Sequence, residues 1–272
     1  MKQSGPIDAD SVWRDIAAIR SEAPLVHNIT NYVVMNTTAN ALLAAGASPV
    51  MAHAVEEVRD MVGFARALVL NIGTLSEKWV EAMVAAGREA SRRKIPIVLD
   101  PVGAGATPYR TDTAARLLRE APPAIIRGNA SEIRALASLG GGTKGVDSVH
   151  SSAEAVAAAQ ALAAGHHCVV SVSGETDMIV GAGAVVRVFN GHPMMPRVTG
   201  LGCTASALTG AFAAVNPDPL QAAAHAMVLM GIAGEIAADR SAGPGSLQMH
   251  LIDVLATIQA ADIRQRIRVE EA

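Results

Sequence analysis

Short β-branched runs alternate with longer alanine-rich stretches, and this alternation sets the expected architecture. Ala67–Asn71, Ile97–Asp100, Ala124–Arg127 and Cys168–Val172 are apolar and short, which predicts buried strands. The stretches between them read as helices. Ser76 is the expected N-cap of a helix running to about Lys94; Ser151 or Ser152 caps another that ends near Gly165, where glycine supplies the stop. Strands alternating with helices imply βαβ units, and therefore an α/β fold with a parallel sheet between two helical layers. After Gly174 the period changes. Asp177–Val180 and Ala184–Phe189 lie close together across Gly181-Ala182-Gly183, as in a hairpin, so one edge of the sheet is expected to be mixed. Helices follow from about Cys203 to Ala214, from Pro219 to Asp239 and over roughly Gln248–Gln259.

Half of the 272 residues are hydrophobic, enough for a large core, and no linker, charge block or repeat divides the chain. One domain over residues 1–272 is the expectation. The net charge of −3 comes from well-mixed acidic and basic residues, and aromatics are scarce, which argues against nucleic acid as a partner. Ala222–Ala238 is the most apolar stretch, but His225 and Glu235 interrupt it; it reads as a buried helix rather than a membrane span. No apolar leader follows Met1–Pro6, and Cys168 and Cys203 sit in unrelated contexts, so a reducing cytoplasmic setting is expected. The charged tail Arg264–Ala272 reads as a solvated end.

Ligands of open α/β sheets gather at the carboxyl ends of strands. Here those positions are polar or glycine: Asn71-Ile72-Gly73-Thr74, Asp100-Pro101-Val102-Gly103, Arg127-Gly128-Asn129 and Ser173-Gly174-Glu175. The glycine turn Thr199-Gly200-Leu201-Gly202-Cys203 runs directly into a helix, an arrangement that offers free amides and a helix dipole to an anion, though it also reads as a tight helix entry with a buried cysteine. Asn129 and Glu132 are spaced either to face a magnesium site or to cap a helix reciprocally. Asp100 is either a metal-facing acid or a turn-maker. Together these residues supply what phosphoryl transfer needs: acids for a metal, a cation for phosphates and an anion hole. Pro108 stands where a dinucleotide fingerprint needs glycine, and Lys144 lacks the residue order of a Walker loop. The histidines and cysteines show no zinc spacing.

His27-Asn28-Ile29-Thr30-Asn31, Gly46–Met51, Asn71–Leu75, Asp100–Thr107 and Arg127–Glu132 resemble hydroxyethylthiazole kinase, within the ribokinase-like superfamily, in order and spacing. The resemblance covers nearly the whole chain. It implies a ribokinase-like three-layer sandwich and phosphorylation by ATP and Mg2+ of the primary alcohol of 4-methyl-5-(2-hydroxyethyl)thiazole, in thiamine salvage. It further implies a homotrimer with active sites at subunit interfaces. By position, Met51, Gly200 and Asn28 would contact the thiazole, Arg127 and Ser173 the ATP, and Asp100 and Glu132 the metal. Gly200, Gly202 and Cys203 would form the catalytic turn. Most of the superfamily places an aspartate where Cys203 stands; a thiol at a helix N-terminus can have a lowered pKa, so Cys203 is either the proton acceptor or a positioner. A pyridoxal or pyrimidine kinase, an ATP-dependent dehydratase of similar scaffold and a silent binding domain are the alternatives.

Overall fold

The computed structural model describes residues 5–138 and 152–271. Its centre is a nine-stranded sheet in the order β2-β1-β3-β4-β5-β6-β7-β8-β9. The strands are β1 (Leu25–Ile29), β2 (Ser48–Val50), β3 (Ala67–Asn71), β4 (Ile97–Asp100), β5 (Ile125–Asn129), β6 (Val169–Ser173), β7 (Asp177–Gly181), β8 (Ala184–Val188) and β9 (Val269–Glu271). β2 through β6 in that order run parallel, and β7, β8 and β9 add antiparallel at one edge. The mixed edge is therefore the one the hairpin signal predicts.

The helices are α1 (Ala9–Glu22), α2 (Met35–Ala45), α3 (Val58–Phe64), α4 (Glu77–Arg93), α5 (Pro108–Glu120), α6 (Ala130–Ser138), α7 (Ser152–His166), α8 (Leu201–Val215), α9 (Pro219–Asp239), α10 (Pro244–Thr257) and α11 (Ala260–Arg266). They form two layers. One face of the sheet buries Val26, Val69, Val98, Ile125 and Ile179 against α1, α2 and α8 through α11; the other buries Leu68, Leu70, Leu99, Ile126 and Val170 against α3 through α7. Side chains alternate between faces along a strand, so these two sets fix where every intervening polar residue points. α9 is nearly all buried, as its apolar run predicts for a core helix.

Several boundaries differ from the sequence reading. β5 and β6 are shifted by one or two residues, to Asn129 and Ser173. The turn after α7 is made by His167, at φ 52°, rather than by Gly165. The expected helix over Gln248–Gln259 begins earlier, at Pro244, and ends at Thr257. The tail from Arg264 onward is ordered, with β9 paired to β8, and its side chains are exposed or half-buried, as its charges predict. Ser76 does cap α4, accepting a hydrogen bond from the Trp79 amide. Ser151, the Gly140–Gly142 run and Lys144 lie outside the described residues.

Candidate active site

The carboxyl ends of the parallel strands carry the polar residues. Asn71 shares its pleat face with Val69, Asp100 with Val98 and Arg127 with Ile125, so all three point toward the layer that contains α8. The hydrogen bonds agree. Asn71 Nδ2 donates to Asp100 Oδ2 at 2.7 Å, and Ser206 Oγ of α8 donates to the same oxygen at 2.7 Å. Asn71 Oδ1 accepts from Asn31 Nδ2 at 2.8 Å and from the Gly73 amide at 2.9 Å. Asn31 Nδ2 also reaches Cys203 Sγ at 3.4 Å. Asn31, Asn71, Asp100, Ser206 and Cys203 thus form a closed ring that ties the first turns of α8 to three strand ends.

Gly200 is the N-cap of α8, at φ 82°, a left-handed conformation that suits glycine; a Cβ there would lie 2.4 Å from Val34 Cγ1. Among the described residues no side chain caps the helix, and the amides of Leu201, Gly202 and Cys203 have no backbone acceptor. The positive end of α8 is open to an anion. Arg127 lies directly below it, since a Cβ on Gly202 would meet Arg127 Nη1 at 2.8 Å. Arg127 is only 8 % exposed, its Nε is buried without a partner, and its guanidinium makes no hydrogen bond among the described residues. A buried cation in that condition is costly unless something negative joins it.

Two buried carboxylates flank this cation. Burial pushes the Asp100 carboxyl up to about 6, with the Arg127 charge, Ser206 and Asn71 pulling it down and Glu132 adding to the rise. Asp177 is likewise pushed up to about 6 by burial, offset by the Gly174 amide and by Arg127. Asp177 was not singled out in the sequence, although it follows the Ser173-Gly174-Glu175 turn by two residues. Glu132 performs the reciprocal cap: its Oε2 accepts from the Asn129 amide at 2.8 Å and its own amide donates to Asn129 Oδ1 at 3.0 Å, while Oε1 accepts from the Gly103 amide at 2.9 Å. Ser173 ends β6 beside Asn129, its Oγ 3.4 Å from the Gly128 carbonyl.

The Cys203 thiol corrects one expectation. Burial and the Asp100 charge push it up, outweighing the lowering by Asn71, Asn31 and Arg127, so the helix terminus does not make it a ready thiolate. Met51 is the first residue past β2, at the sheet edge, and the next carbonyl, that of Ala52, accepts from His27 Nε2 at 2.8 Å. His53 stacks on Trp79 at 4.1 Å and Trp79 meets Tyr32 at 4.7 Å, which links the Met51 segment to the turn holding Asn31. Asn28 lies inside β1, fully buried, with Nδ2 bonded to the Val26 carbonyl and Oδ1 unpartnered. It is Asn31 that reaches Cys203. The rule that found the other four strand ends would have selected Asn31 had β1 been recognised.

The sequence and the fold have counterparts. Residues 16–261 match the model of the family described as hydroxyethylthiazole kinase. A protein named hydroxyethylthiazole kinase from Syntrophus aciditrophicus (strain SB) is 60% identical over 264 residues, covering 97% of this chain and 98% of its own. A solved structure of the hydroxyethylthiazole kinase protein from Pyrococcus horikoshii OT3 superposes with a TM-score of 0.90 at 44% identity, covering 97% of this chain and 99% of the other. The pyridoxal kinase from Staphylococcus aureus, solved with pyridoxal, shares the fold at a TM-score of 0.61 and 16% identity, over 77% of this chain and 86% of its own.

Proposed function

The chain belongs to the hydroxyethylthiazole kinase family, and from that premise we propose that it transfers the γ-phosphoryl group of ATP, with Mg2+, to the primary alcohol of 4-methyl-5-(2-hydroxyethyl)thiazole. Its place would be thiamine salvage in the cytoplasm. The observation that carries the reading is Arg127, a buried arginine that makes no hydrogen bond through its guanidinium among the described residues, set beneath the uncapped start of α8.

Phosphoryl transfer depends on in-line placement and on charge stabilisation more than on covalent chemistry. Arg127 and the free amides after Gly200 would share the charge of the transferring group, and Ser173 would hold the nucleotide from the neighbouring strand. Gly200 and Gly202 matter because a side chain at either would collide, with Val34 or with Arg127 itself. Asp100 and Glu132 fit a metal of the kind that keeps most of its waters: they feel one another's charge, yet among the described residues no group of three or more acidic, histidine or cysteine side chains forms a cage. When bound with the nucleotide, magnesium would neutralise phosphate charge. Asn31 and Cys203 would orient the alcohol, together with Met51 and Asn28. Cys203, its thiol held protonated by burial, serves better as a positioner than as a base. In the homotrimer that the family resemblance implies, the exposed Tyr32 and Val33 beside Asn31 would be free to meet a neighbour that completes the pocket.

The test is ADP release from ATP and Mg2+ with the thiazole alcohol, other vitamin alcohols and a des-hydroxy thiazole supplied separately. Release with the thiazole alcohol alone is expected. No release with any of them by folded protein would contradict the reading.

A further inference from the structure

One peptide group in the loop after Asp100 is held from both sides by opposite charges. Ala104 N donates to the Pro101 carbonyl at 2.9 Å, and Gly103 sits at φ 73°, so Pro101–Ala104 is a β-turn with its third residue left-handed, as in type II. The central peptide of that turn joins Val102 to Gly103. Its carbonyl accepts from Arg110 Nη1 at 2.7 Å, and its N–H donates to Glu132 Oε1 at 2.9 Å. The peptide dipole therefore lies between a guanidinium and a carboxylate, each bonded to the end it favours.

Arg110 does more than hold this turn. The same Nη1 donates to the Ile72 carbonyl at 2.8 Å, and Nη2 donates to the Gly73 carbonyl at 2.8 Å. One side chain on the first turn of α5 thus ties the loop after β3 to the loop after β4, while Glu132, at the start of α6, ties the latter to the end of β5. These loops follow Asn71 and Asp100, whose mutual hydrogen bond closes the ring around Cys203. The rigid planar fork of arginine suits three acceptors; lysine could satisfy its charge but not this geometry.

We propose that Arg110 is a positioning residue for phosphoryl transfer, clamping the Val102–Gly103 peptide together with Glu132 and so keeping Asp100 in register with Asn71. The proposal deepens the kinase reading and rests on it. The Arg110 guanidinium is committed to three backbone carbonyls, so its loss should appear in the chemical step rather than in alcohol affinity.

The test compares the full-length wild type with Arg110→Met and Arg110→Lys, by steady-state kinetics per folded molecule and by deuterium exchange of the peptide spanning residues 101–106. In Arg110→Met, kcat is expected to fall on the order of 10²-fold, with the KM for the alcohol within about twofold. Exchange across the loop should quicken about tenfold, and Arg110→Lys should recover part of both. Unchanged kcat per folded Arg110→Met molecule, or unchanged loop exchange, would overturn the proposal. If the wild type itself does not phosphorylate the alcohol, the functional reading fails, and the exchange comparison still decides whether the clamp exists.

Discussion

The two ends of α8 hold polar clusters that look alike by composition and differ in what they leave unpaired. At its C-terminal end, the cap residue Asn216 donates to Asp15 Oδ2 at 2.6 Å; His225 Nδ1 meets the same oxygen at 2.7 Å, and Ser11 Oγ lies 3.3 Å from His225 Nε2. All of these are buried, and none has a buried side-chain nitrogen or oxygen without a partner. At the N-terminal end, Arg127 Nε, Thr204 Oγ1 and Asn28 Oδ1 are buried and unpartnered among the described residues. A satisfied network specifies packing, whereas an unsatisfied one costs free energy until a ligand completes it. A serine, a histidine and an aspartate in contact therefore mark a staple here, and a lone arginine marks the site.

That contrast can be broken in four ways. The largest effect is expected from His225→Ala, which leaves Asp15 short of a partner in the core: about 3 kcal/mol of stability lost in denaturant titration, with kcat per folded molecule retained. Next, Gly202→Ala should displace the Arg127 guanidinium from beneath α8 and lower kcat/KM on the order of 10²-fold, with little change in melting temperature. Third is Asp177→Asn. A carboxyl at about 6 in the fold and near 3.8 when unfolded binds more protons folded than unfolded between those values, so its contribution to stability is full below about 3.8 and lost as pH rises through about 6. The asparagine variant should gain on the wild type across that window, by at most about 3 kcal/mol at neutral pH. Melting curves at pH 4 and pH 7 check it; an equal difference at both would remove Asp177 from the account. The smallest effect belongs to Cys203→Ser, with activity reduced about tenfold but measurable, and Cys203→Asp retaining at least as much. An inactive, well-folded aspartate variant would sink the idea that the two side chains are interchangeable there.

Much of this was legible in the sequence, because the four strands flanked by clear glycine or polar punctuation are the inner strands of the sheet, and α9 announces itself by apolar length. β1 and β2 were missed for physical reasons. β1 carries His27 and Asn28 inside it, and β2 is three residues long with Pro49 at its centre, tolerable only at the sheet edge where it lies. The tail's charges do face solvent, but its order was not legible, because it comes from long-range contacts: Asn190 Nδ2 bonds the Arg266 carbonyl at 2.7 Å, and Arg268 bonds Glu235 Oε1 at 2.6 Å. Motif spacing brought Asp100, Arg127, Glu132, Gly200 and Cys203 into view. Asn31 was hidden only because β1 was, whereas Arg110 could not be revealed, since its role depends on hydrogen bonds between segments distant in the chain, nor could the raised Cys203 thiol, which depends on its own burial and on the Asp100 charge beside it.

The most direct test is calorimetric titration of ATP with Mg2+ into the wild type and Arg127→Met, with the melting temperature of each recorded without nucleotide. If the unpaired guanidinium is the seat of the phosphates, the variant still folds but binds ATP at least about tenfold more weakly, and any loss in melting temperature stays small and follows the ionisation of Asp100 and Asp177, which lose a neighbouring positive charge. Equal ATP affinity in the two proteins, or a variant that fails to fold, would show that Arg127 is structural and that the phosphates bind elsewhere.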